Sequence, residues 1–156
     1  EYRAYCEVDY HTGLRLREWN TNHSNKAYRG KYHTLKRVES NGINLWQIEV
    51  VGKGNKTERI ILPDAVKPMY DVMIRNEYHP TTISKKFKDA CIKAGLPHLR
   101  FHDIRHSFCS NLSLKTTDAY LLQNVMRHSS LQTTQNYLND TQLKWSKQVE
   151  NVKVIA

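Results

Sequence analysis

The stretch from Arg100 to Tyr137 constrains this chain most, because it carries three helix-period patterns, opens with two histidines and an arginine at helical spacing, and closes on a tyrosine. Residues 101 to 112 fit a helix in which Phe101, Ile104, Phe108 and Leu112 form one apolar stripe facing a core. His102 and His106 fall on the opposite side. Arg105 sits at the boundary, three residues after His102, where a half-sheltered guanidinium can hold a planar cation in a fixed direction. Further on, Leu121, Leu122, Val125 and Met126 give a second helix a buried face, which ends on Arg127 and His128. Ser129 and Ser130 suit the start of a third helix, with Leu131, Thr134 and Leu138 on one side. Tyr137 neighbours that side, so packing can hold its ring while its hydroxyl stays accessible.

Between residues 32 and 62 the period changes to that of strands. A first strand is expected around Tyr32 to Val38, turning at Ser40-Asn41-Gly42, and a strand, turn, strand pattern from Asn44 to Leu62. Gly52-Lys53-Gly54 lies at the tip of the second turn. A phosphate-cradling nucleotide loop is excluded there, since the preceding glycine, the Lys-Ser/Thr pair and the helix are missing. Pro63 ends the strand, and Ala65 to Asn76 reads as an amphipathic helix with Val66, Met69, Tyr70 and Met73 inward. After a loop at Tyr78-His79-Pro80, Ser84 caps a helix through Ala94 with Phe87, Ala90 and Cys91 on its core face; Gly95 stops it. Lys85, Lys86, Lys88 and Lys93 of that helix lie mostly outside, as phosphate contacts or simply as a solvated face.

Lys plus Arg number 24 against 15 for Asp plus Glu, a net charge of +9, so a densely anionic partner is expected, nucleic acid first. A membrane partner is disfavoured by the lack of a long apolar run or a basic helix with a large apolar face. The three cysteines, Cys6, Cys91 and Cys109, read as reduced thiols of a cytoplasmic protein. The eight histidines do not make a metal site, since His102 and His106 have no matching acid or cysteine at ligand spacing and His128 adjoins an arginine. No metal and no cofactor is expected.

HDIRHSF, then MRHSS, then TTQNY resemble the catalytic core of the tyrosine recombinases, the phage-integrase family of DNA breaking and joining enzymes. The family's His-x-x-Arg pair matches His102 and Arg105, its later histidine matches His128, and its nucleophile matches Tyr137, nine residues on. Its first arginine, in Thr-Gly-Leu-Arg-x-x-Glu, matches Arg15 within Thr12 to Glu18, and its Gly-Lys-Gly lysine matches Lys53. All six positions occur in family order. Two departures stand out: Arg127 replaces the glycine common before His128, and residues 19 to 42 are polar and basic where relatives have an apolar helix and a Trp-x-Asp segment. Lys26, Arg29, Lys31, Lys36 and Arg37 of that region read equally as phosphate contacts or as a solvated segment.

The resemblance implies an α+β fold, a mostly helical catalytic domain with a small three-stranded antiparallel sheet, over residues 1–156, with the family's separate N-terminal DNA-clamping domain outside this chain. It implies a site-specific recombinase in which Tyr137 attacks a phosphodiester and forms a 3′-phosphotyrosyl link. Arg15, presented by a helix over residues 1 to 18, and Arg105 would hold the non-bridging oxygens, and Lys53 would protonate the departing 5′ oxygen. His128 would add a donor, and His102 would help handle the tyrosine proton. Glu18, orienting Arg15 or Lys53, and Asp103 and His106 would support the site. Lys56, Lys85, Lys86 and Arg127 are candidate DNA contacts. Implied partners are double-stranded DNA and further copies of this chain, a tetramer on DNA with the tail, Thr141 to Ala156, exchanged between subunits; the same tail can instead cap its own domain. A bacterial or phage cytoplasmic setting follows. Two rivals share the fold: a DNA-binding module without chemistry, and a relaxing topoisomerase of the type IB kind.

Overall fold

A computed structural model of the chain describes residues 1–18, 34–51, 57–76 and 78–139. It contains two compact units, Glu1–Arg105 and His106–Ala156.

The first unit begins with helix α1, Tyr2–Thr12, which ends on Gly13 in the left-handed conformation (φ 60°), with the Gly13 N–H on the Asp9 carbonyl at 2.7 Å. Arg15 is therefore in the turn beyond α1, not on a helix as expected, and a single 3-10 turn, Leu16–Glu18, follows it. Strands β1 (Thr34–Ser40), β2 (Ile43–Val51) and β3 (Thr57–Leu62) form the antiparallel sheet in the order β1-β2-β3. Ser40 pairs with Ile43 across Asn41 and Gly42, whose φ values of 52° and 76° are those of a tight two-residue hairpin. Ile48 and Val50 of β2 and Ile60 and Leu62 of β3 alternate into the core.

A 3-10 turn at Asp64–Val66 leads into α2, Lys67–Arg75. Its inward residues are Val66, Tyr70 and Met73, whereas Met69 lies exposed on the flank. Helix α3 runs from Pro80 to Lys93. It starts four residues before the expected Ser84 cap, because Pro80 occupies the first turn and the His79 ring accepts the Thr81 N–H at 3.3 Å. Its buried residues are Ile83 and Cys91, with Phe87 half-buried against Phe101; Ala90 is exposed, so the helix is rotated away from the expected face. Gly95 (φ 74°) stops α3 as expected, with the Leu96 N–H on the Cys91 carbonyl at 2.8 Å. Lys88 does not point outward: its ammonium meets the carbonyls of Pro97 and Leu99. Tyr5 joins α1 to the end of α2, donating to the Met73 carbonyl at 3.3 Å and accepting the Tyr78 N–H at 3.1 Å.

Helix α4, His102–Ser113, passes from the first unit into the second. Its buried line is Phe101, Arg105, Cys109 and Ser113, one residue along from the expected stripe, with Ile104, Phe108 and Leu112 half-buried beside it. The rotation buries a cation in place of an aliphatic side chain.

In the second unit, α5 (Ala119–Met126) is capped by Asp118, whose carboxylate accepts the N–H groups of Tyr120 and Leu121 at 2.9 and 3.0 Å. Leu122 and Met126 enter the core, whereas Leu121 and Val125 are exposed, correcting the four-residue face expected for this helix. Arg127 ends α5 in the left-handed region (φ 53°, ψ 43°). Helix α6, residues 131–139, buries Thr134 and Leu138 as the pattern predicts. Cys109, Leu122, Met126 and Leu138 form this core, with Phe108, Leu112, Ala119 and Tyr137 packed around it. Cys6, Cys91 and Cys109 are free thiols. Burial holds Cys6 in its neutral form, with help from the nearby Asp9 carboxylate, and pushes its pKa up to about 11. No described helix is long and apolar enough to cross a membrane.

Candidate active site

The first unit gathers two guanidiniums on one turn. Arg105 is 2% exposed, buried where a half-sheltered position was expected, and its Nη1 donates to the carbonyl of Gly13. Two residues further on, Arg15 is held by Glu18 twice: the Arg15 N–H reaches Oε2 and its Nη1 reaches Oε1, both at 2.8 Å. Buried Leu14 pins the turn between them to the core. The Glu18 side chain is 6% exposed and that of Arg15 is 38%, so a buried carboxylate orients a cation whose face is open to solvent. Of the two partners expected for Glu18, Arg15 is paired with it, and Lys53 lies outside the described residues.

The same unit includes His102, the exposed first residue of α4. Asp103 accepts the Arg100 N–H at 2.7 Å and so fixes the entry into α4. Lys85 and Lys86 are exposed on α3, the Lys86 ammonium standing 5.8 Å from the Tyr2 ring centroid. Lys53 and Lys56 lie outside the described residues, as do Lys26, Arg29, Lys31, the start expected for β1 at Tyr32 and the tail from Thr141.

The second unit gathers the phenol and two imidazoles. Tyr137, half-buried on α6, has its hydroxyl in contact with Nδ1 of His106. The His106 ring lies 5.7 Å from the Tyr137 ring at 28°, and the His128 ring lies 5.9 Å from it at 20°. His128 is held in turn: Nδ1 meets the hydroxyl of buried Thr134 at 3.0 Å, and its carbonyl accepts the Gln123 amide at 3.1 Å. His106, assigned only a supporting part from the sequence, is thus the imidazole that the unit places on the phenolic oxygen. Its signal was the spacing on α4, four residues after His102, which does not say which of the two meets α6. The left-handed backbone at Arg127 gives a physical reason for a glycine to be favoured before the histidine. Arg127 takes that conformation here and donates through Nη1 to the Val125 carbonyl at 3.3 Å.

The Phage integrase family matches residues 1–144 of this chain. The chain belongs to that family. Among its relatives, the tyrosine recombinase XerC of Actinobacillus succinogenes is 32% identical over 158 residues, which takes in 86% of this chain and 48% of XerC. XerC of Histophilus somni is 26% identical over 156 residues, with the same coverage. This phage-integrase chain therefore spans about half the length of the curated relatives it matches. Among solved structures, the XerH site-specific recombinase in a post-cleavage complex with palindromic difH substrate superposes with a TM-score of 0.67 at 19% identity, covering 96% of this chain and 45% of that one. XerA recombinase superposes at 0.58 with 22% identity, covering 95% and 57%. The α+β architecture read from the sequence, helices around a small three-stranded antiparallel sheet, is the fold of these phage-integrase relatives.

Proposed function

We propose that this chain is the catalytic part of a site-specific recombinase that cuts double-stranded DNA, links itself to the 3′ phosphate through Tyr137, and rejoins the end to a different strand. The observation that supports this reading most is the phenol of Tyr137, positioned by two imidazole rings with its oxygen on one of them. The phenolic oxygen attacks phosphorus, and the energy of the broken bond is kept in the phosphotyrosine. Arg15 and Arg105 donate paired N–H groups to the non-bridging oxygens as charge builds up there, and their attachment to one turn lets them act without reorganising. Lys53 protonates the 5′ oxygen, His128 adds a donor, and His102 lies one helical turn before His106, open to the substrate. Lys56, Lys85, Lys86 and Arg127 bind backbone phosphates, in keeping with the net charge of +9. The active assembly is a tetramer of this chain on DNA, with tails exchanged between subunits, in the cytoplasm of a bacterial or phage-infected cell.

The test is covalent trapping. The chain is incubated with nicked suicide duplexes of randomised sequence, and protein–DNA adducts are resolved under denaturing conditions. A protease-sensitive adduct that disappears in Tyr137→Phe is expected. Binding without any adduct overturns the reading in favour of a silent DNA-binding module, and plasmid relaxation without strand exchange overturns it in favour of a topoisomerase.

A further inference from the structure

We infer that His106 is a catalytic residue of this site, the acceptor of the Tyr137 proton during cleavage and its donor during rejoining. The inference deepens the recombinase reading and rests on it. Geometry carries it: within the second unit, Nδ1 of His106 is in contact with the phenolic oxygen of Tyr137. The contact is built from both sides. On α4, Cys109 is fully buried three residues after His106; on α6, Thr134 and Leu138 are buried on either side of Tyr137. Both helices are anchored in one core, and the two rings lie at 28° to each other. His128 also lies against the phenol ring, its Nδ1 held by Thr134, and in the reading above it serves as a donor.

For Nδ1 to accept, the neutral His106 ring carries its own hydrogen on Nε2. As the bond from Oη of Tyr137 to phosphorus forms and the bond from phosphorus to the 5′ oxygen breaks, the phenolic proton passes to Nδ1 and His106 becomes imidazolium. The departing 5′ oxygen takes its proton from a separate donor, Lys53 in the reading above. In rejoining, the 5′ hydroxyl returns its proton to that donor and attacks phosphorus, and Oη leaves with the proton held on Nδ1. His106 is exposed, so its Nε2 side has access to water between the two steps. The group facing it from α6 is Tyr137, with His128 against the same phenol. Along α4, His102 and Asp103 stand one turn before it, and Arg105 beside it is engaged with Gly13.

The test compares single-turnover adduct formation by wild type and His106→Ala on a nicked suicide duplex between pH 6 and 9. His106→Ala is expected to be slowed about a hundredfold near neutrality, a typical loss for a proton-transfer group. The deficit narrows as the pH rises towards the ordinary tyrosine pKa of about 10, where the phenol ionises without an acceptor. Added imidazole restores part of the rate. A His106→Ala protein that matches wild type, or is slower by one constant factor at every pH and indifferent to imidazole, overturns the inference. The contact itself is read from the nitrogen resonance of His106 Nδ1, which is expected to move in Tyr137→Phe; an unmoved resonance overturns the inference as well. A wild type that makes no adduct overturns the recombinase reading and this inference together, whereas an adduct-forming wild type beside an unaffected His106→Ala overturns this inference alone.

Discussion

The turn after α1 and the face of α6 hold their functional side chains in opposite ways. At the turn, Arg105 is buried and bound to a main-chain carbonyl, and Arg15 is clamped twice by a nearly buried carboxylate. On α6, Tyr137 is half-buried at the margin of the core of the second unit, with the His106 and His128 rings against its own and its hydroxyl on His106. Rigid donors suit a task in which charge must be met without reorganisation. The proposed nucleophile, which must approach phosphorus and later leave it, is better served by stacked rings.

Variants that separate holding from chemistry put this contrast at risk, beginning with the largest effect. Tyr137→Phe keeps the stacked ring and removes the oxygen, so adduct formation falls by roughly 10⁴-fold or more with little change in melting temperature. An active Tyr137→Phe would break the assignment of the nucleophile. Arg105→Ala should do both kinds of damage, since it removes the proposed phosphate donor and takes the charged partner from the Gly13 carbonyl. Urea unfolding is expected to register a loss of about 2–3 kcal/mol beside the loss of adduct. If stability is unchanged, Arg105 is not the structural member of the pair. Glu18→Gln loosens Arg15 without removing it, and roughly a tenfold slower adduct formation, with about 1 kcal/mol lost in unfolding, is expected. At Arg127 the effect is confined to the backbone: Arg127→Val costs about 1–2 kcal/mol in the left-handed region, whereas Arg127→Gly stays within about 1 kcal/mol of wild type.

The smallest effect concerns Cys6. Its pKa is raised from 9.0 to about 11 in the fold, mainly by burial and next by Asp9. A raised acid pKa means that the folded state keeps a proton the unfolded chain gives up, so the associated stability is present below pH 9 and is lost as the pH rises through about 11. Alkylation of Cys6 at pH 8 should accordingly be one to two orders of magnitude slower, roughly, than that of a free thiol. Cys6→Ser should remove the alkaline dependence, and fast alkylation would show the thiol to be less buried than α1 makes it.

What could be read from residues alone divides along physical lines. The hairpin at Asn41-Gly42 was legible because positive φ at consecutive positions selects those residue types, and the strands because β-branched residues alternate around them. Gly95 was legible as a stop for the same local reason. The faces of α3, α4 and α5 were not, because apolar periodicity fixes a stripe only to within one residue of rotation, and neighbouring helices decide the rest. That single step separates Ile104 from Arg105 and leaves Leu121 and Val125 exposed. The motif located Arg15 but not its support, since Gly13 ends the helix that was expected to present it. His106 drew only a supporting part because His102 carries the family pattern, and its contact with Tyr137 comes from the packing of α6, which spacing along α4 does not show.

The bond from Arg105 to the Gly13 carbonyl joins residues 92 apart in the chain. Contacts that remote are assembled late, because the intervening loop must be ordered before they repay its closure entropy. A nascent or half-folded copy therefore has its cation clamp unmade, and the two guanidiniums come to one turn only once the first unit is finished.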